Sequence, residues 1–147
     1  MTIAVILRDK AGADAADVVT LTASMTVAQA VALFTERRIG AAPVVGDAGE
    51  LLGIFSERDV MHCLHARGGD ALSAPVGEVM TAPAIGVAPD QPVIAALSLM
   101  TRRRIRHLPV LEGDRLIGFV SIGDLVKHRI DRIEAEAAAM RDYIAGS

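Results

Sequence analysis

The chain has 147 residues, of which 52% are hydrophobic and 22% charged, with a net charge of −3 and a pI near 5.8. This composition supplies a packed interior, leaves little case for a disordered chain and argues against a general binder of nucleic-acid backbones. Aromatic residues make up only 3% and Trp is absent, so the core must be aliphatic, built from Val, Ile, Leu, Ala and Met.

Residues 1–16 read as an N-terminal helix and linker. The apolar run Ile3 to Leu7 is too short for a secretory signal and has no basic segment before it. Nothing approaches the roughly 20 apolar residues of a membrane-spanning helix. The single cysteine, Cys63, cannot close an internal disulfide, which makes a reducing cytoplasm the expected compartment.

From there the chain states one pattern twice, over residues 17–68 and 75–128. Val18 to Leu21 and Ala84 to Val87 are short β-prone runs. Each precedes a helix with one apolar face, Val27, Ala30, Val31 and Phe34 in the first copy and Val93, Ala96, Leu97 and Met100 in the second. Both helices end in arginines, where cations favour the negative end of the helix dipole. A hairpin follows, Pro43-Val44-Val45 with Leu51 to Phe55, then Pro109-Val110-Leu111 with Leu116 to Val120. The offset between copies is 66 residues up to the first hairpin strand and 65 beyond it. The extra residue lies in the turn Gly46 to Glu50, because turns absorb insertions and strands do not. The expected fold is therefore α/β (α+β): two tandem βαββα units sharing one core, since a unit of about 60 residues is marginal alone. Residues 129–147 form a C-terminal helix extension.

After the last strand of each copy stand Ser56-Glu57-Arg58-Asp59 and Ser121-Ile122-Gly123-Asp124. At a helix start this pattern forms a capping box. The same atoms can serve a ligand: free N–H groups at a helix N-terminus attract phosphate, and an Asp beside them can accept both hydroxyls of a ribose. The two roles are compatible, and the repetition of Gly, two apolar residues, Ser and Asp favours the ligand.

The segments Gly53 to Asp59 and Gly118 to Asp124 resemble the Gly-h-x-Ser/Thr-x-x-Asp signature of cystathionine β-synthase (CBS) domains, and Ile39 to Val45 and Ile105 to Leu111 resemble that family's strand start. The resemblance covers roughly residues 17 to 128. It implies a CBS domain pair, or Bateman module, of the stand-alone bacterial type. Such a pair has two units related by a pseudo-twofold and two clefts for adenosyl ligands: AMP, ADP, ATP or NAD(H). It also implies a homodimer, no required cofactor and no catalysis.

Carried over residue by residue, one nucleotide site would comprise Ser56, Arg58, Asp59, Met80, Pro83, Ile85 and His107. Asp59 would hold the ribose, Ser56 would sit beside the phosphates, and Arg58 and His107 would meet them. The second and weaker site would comprise Val19, Gly40, Ala41, Arg106, Ser121 and Asp124. There Gly123 replaces Arg58, and Asp17 would repel phosphate.

Other candidates carry less. Arg102, Arg103, Arg104 and Arg106 with His107 form the one dense basic cluster, but no stacking aromatics accompany it. His62, Cys63 and His65 lie close together, but adjacent residues on one helix point in different directions and no second ligand pair appears elsewhere, so no metal is expected. No P-loop, nucleophile elbow or zinc motif occurs, which argues against an enzyme. Val126, Ile130, Ile133, Ala137, Met140 and Ile144 step by alternating fours and threes, a stripe of period 3.5 that points to a subunit contact unless it covers the chain's own core. The leading function is a nucleotide-sensing regulatory module acting through an effector protein. The alternatives are a structural homodimer without ligand, or nucleic-acid binding through the Arg102 to Arg106 cluster.

Overall fold

Thr26 and Pro92 hold equivalent places, and each starts a helix of eleven residues: α2 (Val27–Arg37) and α5 (Val93–Arg103). The computed structural model describes residues 1–11 and 18–146. Thr26 closes a capping box, its Oγ1 accepting from Gln29 N at 3.2 Å while Gln29 Oε1 accepts from Thr26 N at 3.0 Å. Pro92 supplies instead the preset φ that suits a helix start. Val27, Ala30 and Phe34, and likewise Val93, Ala96 and Met100, are buried as their spacing requires. Both helices stop on an arginine in left-handed conformation, Arg38 and Arg104, each at φ 55°.

Each helix leads into an antiparallel hairpin. β1 (Ala41–Val45) pairs with β2 (Leu51–Ser56), and β3 (His107–Glu112) with β4 (Arg115–Ser121). Val44 opposes Gly53 as Val110 opposes Gly118, and both ladders shift register at the next residue. The first turn closes with Gly46 N donating to Glu50 O at 2.8 Å and Gly49 at φ 81°, and the shorter second turn uses Gly113 at φ 64°.

The expected strands at Val18 to Leu21 and Ala84 to Val87 shrink to single parallel bridges, Leu21 to Val44 and Val87 to Val110. Proline explains why. Leu21 N donates to Pro43 O and Val45 N to Leu21 O, with Val87, Pro109 and Leu111 repeating the arrangement. Extending either ladder backward by two residues would require an N–H from Pro43 or Pro109, which proline lacks.

β2 runs directly into α3 (Glu57–Arg67), followed by a 3-10 turn (Gly68–Ser73) and α4 (Val76–Val79), and β4 runs into α6 (Ile122–Ala145). The core has two clusters, one per repeat. Leu21, Val44 and Phe55 centre the first, and Leu108, Val110, Val120 and Leu125 the second. Burying one such side chain fully stabilises by about 1.5–3 kcal/mol.

Each cluster is completed by a segment that precedes the other repeat in sequence. Val76 and Met80 pack on the first cluster, whereas Ile3, Ile6 and Leu7 of α1 (Ile3–Ala11) pack on the second. The backbone contacts correspond pair by pair. Val76 N donates to Met25 O and Gly77 N to Ala23 O, as Ile3 N does to Gln91 O and Ala4 N to Pro89 O. Among the described residues no helix is long and apolar enough to cross a membrane.

Candidate functional site

Asp59 sits in the first turn of α3 because β2 ends at Ser56 and the chain turns there into the helix. Its Oδ2 accepts from Ser56 N at 2.9 Å and from Ser56 Oγ at 3.1 Å. Its Oδ1 accepts from Thr81 Oγ1 at 2.9 Å. Thr81 is held there by two backbone hydrogen bonds with Ile54, and Met80 lies against Gly53, where no side chain intervenes. Ser56, Asp59 and Met80 are therefore brought together, and Thr81 joins them. Pro83, which follows a cis peptide, and Ile85 lie exposed on the stretch leading to Val87.

Asp124 repeats the helix-start geometry: its Oδ2 accepts from Ser121 N at 2.8 Å, and Ser121 Oγ accepts from Asp124 N at 3.1 Å. What faces it differs. The place that Thr81 holds at Asp59 is taken at Asp124 by Lys10 of α1. Lys10 Nζ lies 2.8 Å from Asp124 Oδ2 and donates to Phe119 O at 3.0 Å. Phe119 is the counterpart of Ile54, so one ammonium replaces both the Thr81 hydroxyl and its backbone N–H. Burial alone would raise the Asp124 carboxyl, but the hydrogen bonds from Lys10 and Ser121 and the Lys10 charge outweigh it and leave the pKa below its ordinary value.

His107 lies in register with Ser121, and its ring stacks on Phe119 with centroids 5.5 Å apart. Lys10, Asp124 and Arg106 act on it together with Glu57 from the first turn of α3, with which it borders one groove. Burial first and Lys10 second lower its pKa, against the pull of Asp124 and Glu57. Arg58 reaches across to the other repeat, its Nη1 3.4 Å from Arg104 O at the end of α5. Gly40 O accepts from Glu57 N at 2.9 Å, and its counterpart Arg106 O accepts from Ile122 N at 2.8 Å. Ala41 is buried, Val19 half-buried and Arg106 exposed, while Asp17 lies outside the described residues. An open groove of about 650 Å³ runs between α2 and α3, bordered by Phe34, Arg38, Gly40, Glu57, Met61 and His107. Cys63 is buried, whereas His62 and His65 are exposed.

Lys10 and Thr81 are the residues that sequence reasoning missed. Lys10 carried a signal: Ile3, Ile6, Leu7 and Lys10 follow the spacing of one helix face, which puts the lysine in line with the buried residues at the exposed end of that face. Thr81 had no signal beyond its adjacency to Met80.

Two helix starts with the same Ser and Asp, set by two hairpins in one register, define a paired domain. The CBS domain profile matches twice, over residues 14–66 and 76–131, and the chain belongs to that family. It is 38% identical over 125 residues to the mitochondrial CBS domain-containing protein CBSX3 of Arabidopsis thaliana, covering 82% of this chain and 61% of that protein's length. The crystal structure of the CBS-domain containing protein ATU1752 from Agrobacterium tumefaciens superimposes with a TM-score of 0.79 at 34% identity, covering 87% of this chain and 92% of that one. The crystal structure of CBSX2 in complex with AMP shares the fold, with a TM-score of 0.69 at 24% identity, covering 78% of this chain and 88% of that one.

Proposed function

We propose that this chain is a non-catalytic regulatory module that binds an adenine nucleotide, AMP, ADP, ATP or NAD(H), beside Asp59. Its state would reach an effector protein through a homodimer, as an energy or redox sensor in the cytoplasm. The observation that carries the proposal is the carboxylate of Asp59 at the first turn of α3, with Met80 and Thr81 of the opposite repeat's approach against it. A helix N-terminus offers N–H groups and a positive dipole end to phosphate, and the adjacent carboxylate can accept from ribose hydroxyls. CBSX2, with the same fold, is crystallised with AMP.

The two clefts are unequal in this proposal. Asp124 already has a cation at 2.8 Å, and a ribose there would have to displace Lys10. Among the described residues Asp59 has only neutral donors and is the first to fill. Calorimetric titration of AMP, ADP, ATP, NAD and NADH into the full chain tests the proposal. Saturable heat from at least one of them is expected, with a matching rise in melting temperature. No heat and no shift with all five would leave the structural homodimer.

A further inference from the structure

Only the start of α6 is packed: Leu125 is buried and Ile122 lies against the second core cluster. From Arg129 to Gly146 every residue except Ala138 is exposed. A single helix of that length standing free in water is marginal and gains its stability from packing. Its apolar side chains nevertheless keep the heptad period, and Val126, Ile130, Ile133 and Met140 are 42%, 49%, 49% and 59% exposed. The stripe therefore does not cover the chain's own core.

We propose that α6 joins two copies of this chain as a parallel coiled coil through Val126, Ile130, Ile133, Ala137 and Met140. The flanking charges select both the partner and the direction. With Val126 at heptad position d, Lys127, Glu134 and Arg141 occupy e, and Arg129 and Glu136 occupy g. In a parallel pair each g residue meets the e residue five places further along the other helix. Arg129 then meets Glu134, and Glu136 meets Arg141, so both contacts join opposite charges and the twofold repeats them. An antiparallel pair in full overlap would instead place Lys127 against Arg141, Glu134 against Glu134 and Glu136 against Glu136, all like charges. In the single chain Glu136 pairs with Arg132 at 3.3 Å, an exposed contact that leaves its other oxygen free to be shared. This association rests on the homodimer of the proposed function but not on nucleotide binding, so ligand binding and association through α6 can fail separately.

Sedimentation of the full chain at low salt tests it, with charge variants and a cysteine variant on the exposed helix. Arg129→Glu should weaken the dimer about tenfold, which is about 1.4 kcal/mol. Arg129→Glu combined with Glu134→Arg should restore it. Ile133→Cys should give a disulfide-linked dimer on mild oxidation, because a parallel register sets the two 133 positions opposite each other. A monomeric chain would overturn the proposal. So would an Arg129→Glu variant that associates unchanged, or cross-linking only when Ile133→Cys and Ala137→Cys chains are mixed, the antiparallel outcome.

Discussion

Lys10 Nζ and Asp124 Oδ2 lie 2.8 Å apart across 114 residues of sequence, and among the described residues no cation holds the corresponding place at Asp59, which Thr81 occupies. The two carboxylates begin equivalent helices with equivalent serines, so the lysine makes the two helix starts chemically different, beside the exchange of Arg58 for Gly123. Lys10→Met should remove the lysine's share of that difference. Both partners are partly exposed, and an ion pair of this kind is worth about 0–1 kcal/mol, so the melting temperature should fall only slightly. The number of nucleotides bound per chain, read by calorimetry, should rise toward two.

Asp59→Ala should reduce adenine-nucleotide affinity more than Asp124→Ala. Losing a charge-assisted hydrogen bond costs about 1.5–3 kcal/mol, or roughly a tenfold to hundredfold in affinity. Asp59 also caps its helix, so the same variant should lose about 1 kcal/mol of stability whether or not nucleotide is present. Titration and melting curves measured side by side separate the two roles. If wild type and Asp59→Ala bind equally well, the Ser-x-x-Asp pattern is a cap alone.

Stability should fall with acid in two stages. The folded His107 has a pKa below its ordinary 6.5, so the unfolded chain gains a proton that the folded chain resists as pH drops below that value. Asp124 is likewise depressed from its ordinary 3.8, so its contribution is complete above that value and disappears as pH falls through the lower folded one. Melting temperatures measured between about pH 7 and pH 5 should decline in wild type and decline less in His107→Gln, since only histidine titrates there. A slope unchanged by that substitution would assign the effect to other groups.

Gly53 and Gly118 are counterparts, but the approach to each differs. A Cβ at Gly53 would lie 2.7 Å from the backbone oxygen of Thr81, whereas at Gly118 it would lie 2.5 Å from Cδ2 of Leu7. A backbone oxygen tied to Ile54 cannot move aside, but a leucine end can rotate. Gly53→Ala should therefore cost about 1–3 kcal/mol by overpacking, and Gly118→Ala clearly less. Denaturant titration of the two variants gives the comparison directly.

The duplication was legible because an offset of 66 and then 65 residues needs no structure to see, and the buried helix faces followed from their period. The shrinking of the leading strands to single bridges is not legible in the sequence, although Pro43 and Pro109 cause it. Their missing N–H matters only once the strand beside them is known. The resemblance assigns His107 to the phosphates at Asp59, and only the structure reveals its register with Ser121 and the nearness of Lys10, Asp124 and Glu57. Lys10 stood on a readable helix face, but its partner is far along the chain, and no local pattern names a partner at that distance.

The exchange of flanking segments between repeats also sets an order of events during synthesis. Residues 76–80 emerge soon after the first repeat they complete, so that half can close early on the ribosome. Ile3 and Ile6 are made before either repeat, yet their packing surface of Leu108, Val120 and Leu125 belongs to the second. Until translation passes that point, the opening helix has no core to join. A helix made ahead of both repeats thus docks only after the second of them has been made.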